Sequence, residues 1–186
     1  AAIGAAVRLE KDFHTLPGAV AIWGRWRPTF RLQIAGAGPC DKTLQRHARL
    51  IGSAACVDFL GTVSDVPTLL KQARSCVLSS ISEGVPLSLL EAMASGLPVV
   101  SADTASARGM LSGSTAGILC SPLDVQAYAA AIAGLFGSVE RRNAMGAAAM
   151  AARMACSWAA ASPPAERIHR QLVSGAQGRP RPTTTR

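Results

Sequence analysis

The chain has 186 residues, a length that allows one domain with a sizeable hydrophobic core but not comfortably two. Hydrophobic residues make up 49% of it, yet no apolar run approaches the roughly 18 residues of a membrane-spanning helix. The net charge of +8 is carried by sixteen arginines and three lysines dispersed along the chain, with only three Trp, four Phe and one Tyr. Such a pattern argues against a nucleic-acid partner, while a basic face still suits an anionic membrane surface or a phosphorylated ligand.

Short apolar runs alternate with helical segments along the whole chain. The predicted strands cover residues 2–7, 30–35, 57–60, 76–78, 98–100 and 117–120. The predicted helices cover residues 12–23, 41–50, 86–95, 124–136, 140–155 and 164–173, with further helices starting near residue 66 and within residues 103–113. This alternation predicts an α/β fold with a Rossmann-like, doubly wound parallel sheet of about six strands. We expect this domain to span residues 1–174, followed by a disordered basic tail over residues 175–186.

The chain opens in an apolar run without an initiating Met, and we expect it to be a fragment or an incomplete gene product. Its five cysteines are widely spaced, with no Cys-x-x-Cys pair or Cys/His cluster that would hold zinc. We expect them to be small buried hydrophobic residues in a reducing cytosol.

Two helices have recognisable start signals. Asp12 is a suitable N-cap for the first helix, whose Leu16, Val20 and Trp23 would face the core. Pro86 suits the first position of the helix over residues 86–95, because the amide that proline lacks has no helical partner there.

Loops that follow the strands of a parallel sheet meet at its carboxyl edge, which is where ligands bind. One of these loops contains the turn Gly36-Ala37-Gly38-Pro39. A lone Gly-x-Gly is a weak phosphate signal and often marks only a tight turn.

Two carboxylates stand out in the strand–turn–helix–strand unit over residues 76–101. Glu83 lies in the loop before the helix, and Glu91 lies inside the helix. We expect Glu91 to fall within an apolar stripe formed by Leu87, Leu90, Ala94 and Pro98. A carboxylate on such a stripe needs hydrogen-bond donors, since burying it unpaired is expensive, although most helical glutamates are simply solvated.

The start of the same helix is a candidate anion site. Amides around Gly84, Val85 and Leu87 would be free to donate, and the helix dipole favours negative charge at this end. A phosphate bound there would place its other groups near Glu83 and Glu91.

The run Ser-Glu-Gly-Val-Pro-Leu-Ser-Leu-Leu-Glu-Ala-Met-Ala-Ser-Gly-Leu-Pro-Val-Val, residues 82–100, resembles the signature of the family 4 retaining glycosyltransferases. These enzymes have the two-domain GT-B fold. The resemblance covers about residues 3–173, which corresponds to the C-terminal, donor-binding half. It implies that the N-terminal acceptor domain is absent from this chain and that a nucleotide-sugar donor and that missing domain are its partners.

The resemblance also implies roles for individual residues. Glu83 would contact the sugar, Arg8 and Lys11 would stabilise the leaving diphosphate, and these three form the catalytic set. Glu91 would accept hydrogen bonds from the ribose. The other donor-binding positions are Gly36, Gly38, Val63, Gly84, Val85, Pro86 and Leu87. The chain has no Asp-x-Asp sequence, which agrees with a metal-independent reaction that needs no cofactor.

One departure from the family concerns the first loop. Arg8 and Lys11 are three positions apart here, whereas the family usually has a longer gap. Either this loop is shortened or one of the two cations misses the phosphates, and both could also be ordinary solvated side chains.

Three functions therefore remain open at this stage. The first is sugar transfer with retention of configuration, in bacterial polysaccharide or glycolipid synthesis, by a cytoplasmic protein that touches the inner face of the membrane. The second is a nucleotide-sugar epimerase-like reaction on the same fold. The third is a non-catalytic, nucleotide-sugar-binding remnant. On the first reading we expect this chain alone to be inactive.

Overall fold

The structure is a computed structural model that describes residues 2–5, 12, 14–24, 30–82, 84 and 86–155, with backbone alone for residues 2–5 and 154–155. The chain divides into two compact units, Ala1–Arg153 and Met154–Arg186. All the elements below belong to the first unit, except the last two residues of the final helix. The predicted helix over residues 164–173 and the predicted tail over residues 175–186 lie outside the described residues.

Six parallel strands form one sheet within the described part of the chain. Along the sheet their order is β3-β2-β1-β4-β5-β6, and every neighbouring pair is parallel. The strands are β1 (Ala2–Ala5), β2 (Leu32–Ala35), β3 (Val57–Gly61), β4 (Ser75–Leu78), β5 (Val99–Ala102) and β6 (Gly117–Cys120). The direction of winding reverses between β1 and β4, which confirms the predicted doubly wound, Rossmann-like sheet and places its switch point there.

Seven α-helices connect and cover these strands in the described residues. They are α1 (Thr15–Trp23), α2 (Asp41–Leu50), α3 (Val66–Gln72), α4 (Leu87–Ala94), α5 (Ala105–Leu111), α6 (Val125–Gly137) and α7 (Val139–Ala155). Most of the predicted helix boundaries lie within one or two residues of these positions.

Each face of the sheet has its own hydrophobic core. Residues of α1, α2 and α6, with Met145 of α7, pack on one face together with Val77 and Val100. Residues of α3, α4, α5 and α7 pack on the other face together with Cys76, Leu78 and Val99. Alternate residues of the central strands therefore enter different cores, as expected for strands that are buried on both sides.

The four cysteines among the described residues differ in burial. Cys76 and Cys120 are buried, Cys40 and Cys56 are half-buried, and all four are free thiols. Burial raises the pKa of Cys76 to about 12, with a smaller contribution from the charge of Glu91, so this thiol stays protonated at neutral pH. The prediction of small buried hydrophobic residues is confirmed for Cys76 and Cys120.

The first helix begins later than its sequence indicates. It starts at Thr15 instead of residue 12, because Asp12 caps it from outside: its Oδ1 accepts the amides of His14 at 3.1 Å and Thr15 at 3.2 Å. The predicted inward face is correct, since Leu16 and Val20 are buried and Trp23 packs partly buried against the same core.

Candidate functional site

The carboxyl edge of the sheet gathers the loops that follow β2, β3 and β4. Strand β1 lies between β2 and β4 in the sheet, so its carboxyl end belongs to the same edge. Open α/β sheets bind ligands at this edge, beside the switch point. The candidate site is therefore built around the start of α4, the first helix after that point.

The N-terminus of α4 has no side-chain cap. Pro86 occupies the N-cap position with φ −74° and ψ 90°, so the helix begins at Leu87, one residue later than expected. The amide of Leu89 donates to the Pro86 carbonyl at 2.9 Å, whereas the amides at the very start of a helix have no intrahelical acceptor. This helix end therefore presents backbone donors and the positive end of its dipole to an anion.

The predicted apolar stripe of α4 is wrong. Leu87 is 66% exposed and Ala94 is also exposed, so they do not face the core. The face that packs inward is made by Leu89, Ala92 and Met93. Two sets of apolar residues share the helical period in this segment, and spacing alone did not distinguish the face against the sheet from the face toward solvent.

Glu91 consequently lies on the open side of α4. Its side chain is exposed, and no cation pairs with it among the residues that the structure describes. Its charge lies close enough to Cys76 to help raise the pKa of that thiol. An exposed carboxylate on the fifth residue of α4 is free to accept hydrogen bonds from a ligand that also reaches the helix N-terminus.

The turn after β2 uses its amides for its own folding. Gly36 has a φ of +128°, which favours glycine, and its amide donates to the Gly61 carbonyl at 2.7 Å. The amide of Gly38 donates to Asp41 Oδ1 at 3.1 Å. The predicted donor contacts of Gly36 and Gly38 would therefore have to come from other atoms of the turn, and they stay predictions.

Gly84 is open to solvent. A Cβ added there would have no described heavy atom within 4 Å, and its φ does not fall in the left-handed region. Neither packing against the described residues nor a left-handed φ therefore requires glycine at this position. Val63 is half-buried in the loop between β3 and α3. Glu83, Val85, Arg8 and Lys11 lie outside the described residues.

Two buried hydrogen bonds near this edge were not anticipated from the sequence. The Ser79 hydroxyl, just after β4, donates to the main-chain carbonyl of Asp12. The Tyr128 hydroxyl donates to the carbonyl of Leu78 at 2.8 Å, and burial raises the pKa of this phenol. The single tyrosine of the chain, placed in an alanine-rich helix, is the sequence signal that could have indicated this buried polar contact.

A surface ion pair follows β5 at the same edge. Arg108 donates through Nε and Nη2 to the two carboxylate oxygens of Asp103, at 2.9 Å and 2.8 Å. This bidentate pair holds the pKa of Asp103 below its usual value. Among the described residues, no three His, Cys, Asp or Glu side chains are grouped as a metal site would require.

Comparison with known protein families identifies the family of this chain. The family described as glycosyl transferases group 1 matches residues 2–138. The chain belongs to this family. The match includes all six strands, the start of α4 and Glu91, and it confirms the resemblance to a C-terminal GT-B domain.

Curated relatives of this group 1 chain are longer proteins. EpsD of Bacillus subtilis strain 168 is 32% identical over 142 residues, which cover 76% of this chain and 37% of EpsD. The glycogen synthase of Mycobacterium tuberculosis strain H37Rv is 32% identical over 126 residues, covering 66% of this chain and 30% of the synthase. The chain thus spans about a third of the length of these relatives.

Solved structures agree with the fold. TarM of S. aureus, crystallised with UDP among its ligands, superposes with a TM-score of 0.81 at 19% identity, over 90% of this chain and 34% of TarM. Anabaena HepE in complex with UDP-glucose gives a TM-score of 0.73 at 26% identity, over 82% of this chain and 43% of HepE. Among the described residues of the group 1 domain, no helix is both long and apolar enough to cross a bilayer.

Proposed function

We propose that this chain is the donor-binding half of a family 4 retaining glycosyltransferase. The observation that carries this proposal is the start of α4, where an uncapped helix N-terminus precedes the exposed Glu91 at the carboxyl edge of the sheet. A nucleoside diphosphate offers the two matching groups, an anion for the amides and hydroxyls for the carboxylate.

Each proposed catalytic group has a physical task. The amides at the start of α4, beside Gly84 and Leu87, would bind the diphosphate, and Glu91 would accept hydrogen bonds from the ribose. As the bond from the sugar to the diphosphate breaks, negative charge grows on the leaving group. Arg8 and Lys11 would stabilise that charge, and Glu83 would hold the sugar hydroxyls. The sugar would be transferred with retention of configuration and without a metal ion.

The structural neighbours support a uridine nucleotide as the first ligand to test. HepE has been crystallised with UDP and with UDP-glucose, and the pneumococcal GtfA, 26% identical in sequence, with UDP and GlcNAc. We therefore propose a nucleotide-sugar as donor. Sugar transfer itself would also need the N-terminal half of a GT-B fold, and we place it in bacterial polysaccharide or glycolipid synthesis in the cytoplasm.

Calorimetric titration with UDP, GDP and ADP tests the donor site. We expect one of these nucleotides to bind, and Glu91→Ala to weaken it roughly tenfold or more, since hydrogen bonds to a charged group contribute about 1.5–3 kcal/mol. Glu140→Ala, which removes an exposed acid of α7, is the matched control and should leave affinity unchanged. Binding that survives Glu91→Ala would contradict the proposed site.

Gly84→Val separates folding from ligand binding. Because no described atom lies near the added side chain, the variant should unfold at the temperature of the wild type. It should lose nucleotide binding, because a side chain would stand where the backbone must approach the phosphates. Nucleotide binding without sugar transfer in the full-length protein would instead favour the non-catalytic alternative.

We also propose peripheral contact with an anionic membrane through α2. Lys42, Arg46 and Arg49 lie at positions that share one helix face, all three are exposed, and none has an acidic partner among the described residues. The neighbouring Leu50 is 76% exposed. Each cation near an anionic surface contributes about 1 kcal/mol, so replacing both arginines by Gln should weaken binding to phosphatidylglycerol vesicles roughly tenfold or more. Replacing the exposed Lys71 and Arg74 together by Gln, which removes the same number of charges elsewhere, is the control, and equal losses in both proteins would refute a specific face.

A further inference from the structure

Two charged side chains form a fixed pair just beyond β5. Asp103 follows the last residue of β5, and its carboxylate accepts hydrogen bonds from Nε and Nη2 of Arg108 at 2.9 Å and 2.8 Å. The amide of Asp103 donates to the carbonyl of Cys120 on β6 at 2.8 Å, which ties the acid to the neighbouring strand. Arg108 belongs to α5, whose N-cap Thr104 accepts the amide of Ala107 at 3.2 Å. Bonds to the backbone therefore hold both partners of the pair in place.

The pair keeps hydrogen-bonding groups that face solvent. The side chain of Arg108 is 64% exposed and that of Asp103 is 35% exposed. A guanidinium has five N–H donors, of which Asp103 takes two, and an ionised carboxylate has about four lone-pair sites. Donors and acceptors thus lie side by side at an open position. Sugar hydroxyls need this combination, because each hydroxyl both donates and accepts.

The pair lies beside the proposed phosphate site. Strand β5 is the neighbour of β4 on the side away from β1, and neighbouring strands are about 4.8 Å apart. Helix α4 contacts both β4 and β5, and α5 packs into the same core on the same face of the sheet. Both helices follow parallel strands, so both begin at the carboxyl edge. The start of α4 and the Asp103–Arg108 pair therefore occupy adjacent positions on one face of this edge.

We propose that Asp103 and Arg108 bind hydroxyls of the sugar that the nucleotide donor carries. This inference rests on the proposed function. Val63, a predicted donor-binding position, lies in the loop after β3, and the sheet order is β3-β2-β1-β4-β5. With the diphosphate at the start of α4 and the nucleoside toward Val63, the sugar at the other end of the diphosphate extends toward β5. A sugar in that direction meets the pair.

The charges of the pair favour a neutral sugar. The hydrogen bond from Arg108 holds the pKa of Asp103 below its ordinary 3.8, so this acid is ionised at neutral pH. Its negative charge offsets the positive charge of Arg108. A carboxylate on the sugar would lie close to the carboxylate of Asp103, and like charges at short distance repel each other. The pair should therefore select a neutral hexose over a hexuronate.

Arg74 offers a matched control. It is an exposed arginine directly before β4, at the amino edge of the sheet. Arg108→Ala removes the donors of the pair, whereas Arg74→Ala removes the same side chain at the opposite edge. Asp103→Asn keeps the shape of the acid but replaces one of its two acceptor oxygens by a donor and removes the charge. Both partners of the pair can thus be tested separately.

The test compares the affinity for UDP with that for UDP-glucose, UDP-galactose and UDP-N-acetylglucosamine by calorimetry, with thermal unfolding in parallel. If GDP or ADP is the nucleotide that binds, its glucose and mannose conjugates are used instead. We expect the tightest-binding conjugate to bind about tenfold more tightly than the free nucleotide, because hydrogen bonds to charged groups are strong. The glucuronate conjugate should bind no more tightly than the free nucleotide.

The variants should change this preference and leave nucleotide binding alone. We expect Arg108→Ala and Asp103→Asn each to reduce the preference for the sugar conjugate to about twofold or less, with the affinity for the free nucleotide unchanged. The double variant should lose no more than Arg108→Ala does, because the two side chains act on the same contact. Arg74→Ala should keep the preference of the wild type.

Each other outcome overturns a definite statement. If the wild type binds none of UDP, GDP and ADP, the proposed function fails and this inference fails with it. If a nucleotide binds but no sugar conjugate binds more tightly, or if Arg108→Ala keeps the preference, the inference fails while the proposed function stands. A lower unfolding temperature with an unchanged preference shows that the pair only holds the loop after β5. A preference for the glucuronate conjugate overturns the neutral sugar. Should Arg108→Ala not fold, Asp103→Asn decides, and an unchanged preference in it refutes the proposal.

Discussion

Helix α7 contacts the turn that follows α4 through two glycines, Gly146 and Gly96. A Cβ built on Gly146 would lie 2.2 Å from the carbonyl oxygen of Gly96 and 3.2 Å from its carbonyl carbon. Gly96 itself has a φ of +68°, which an alanine would adopt only with strain. Gly146→Ala therefore places a methyl group against main-chain atoms, which cannot relieve the clash by changing a rotamer as a side chain could.

The cost of this substitution follows from the distances. Real Cβ contacts stay above 3.0 Å, so the two segments must separate by at least 0.8 Å, which is 3.0 Å minus 2.2 Å. Overpacking of this kind costs about 1–3 kcal/mol, while the better helix propensity of alanine returns about 0.5–1 kcal/mol. These two ranges leave a net loss of about 0–2.5 kcal/mol in the free energy of unfolding, and we expect the upper half of it because the atoms that the methyl group meets belong to the backbone.

Urea unfolding followed by circular dichroism measures this loss. Gly109→Ala in α5 is the control, because no described atom lies within 4 Å of its added Cβ, and it should gain about 0.5–1 kcal/mol from helix propensity alone. Since Gly96 follows the last turn of α4, Gly146→Ala should also weaken nucleotide binding. A Gly146→Ala protein as stable as Gly109→Ala would refute the packing argument.

Two further substitutions test local features. Leu123 is 60% exposed with a φ of +66°, so Leu123→Asn should raise the free energy of unfolding by about 0.5–1 kcal/mol, whereas Leu123→Ala, which keeps the strain, should not. Burial and then the adjacent His14 ring, 4.4 Å away between centroids, hold the pKa of His47 below its ordinary 6.5. The unfolded chain therefore takes up a proton that the folded chain resists, so stability should fall as the pH drops below 6.5. His47→Gln should reduce the change in Tm between about pH 7 and pH 5, a range that lies mostly above the one in which carboxylates titrate. If Tm changes as much with pH in this variant as in the wild type, His47 is not the cause of the pH dependence.

The centre of the sheet could be predicted from the sequence because β4 and β5 are short apolar runs that are buried on both faces. Val77 and Val100 enter one core and Cys76 enters the other, so their pattern is continuous and easy to locate. The first residue of a helix was harder to predict, since the side chain that caps the helix can belong to a residue before it. Asp12 satisfies the amides of His14 and Thr15 without belonging to the helix that it caps.

The orientation of α4 required tertiary information. Leu87 and Leu89 are equally apolar, and nothing in their spacing says which of them meets the sheet. The structure buries Leu89 and leaves Leu87 exposed, and Glu91 comes to lie on the open side. The position of the helix in the chain was therefore predicted correctly, but the face predicted to pack against the core was the wrong one.

Contacts between distant residues were beyond sequence reasoning. Ser79 and Asp12 are 67 positions apart, and Tyr128 and Leu78 are 50 apart, so no local pattern connects them. The turn at Gly36 shows the opposite case: a phosphate-like motif whose amides at Gly36 and Gly38 bond within the fold. The role of such a turn depends on where its donors point.

The reversal of winding at the centre of the sheet has a consequence for how the chain folds. Strands β1, β2 and β3 follow one another in space as in sequence, and so do β4, β5 and β6. In the described sheet, the β1–β4 ladder joins these two runs across some seventy residues, from Ala2 to Ser75. Pairing over such a long loop is slow, because the loop entropy is lost before contacts form. We therefore expect the two runs to assemble first and the central ladder, beside the proposed nucleotide site, to close as the rate-limiting step.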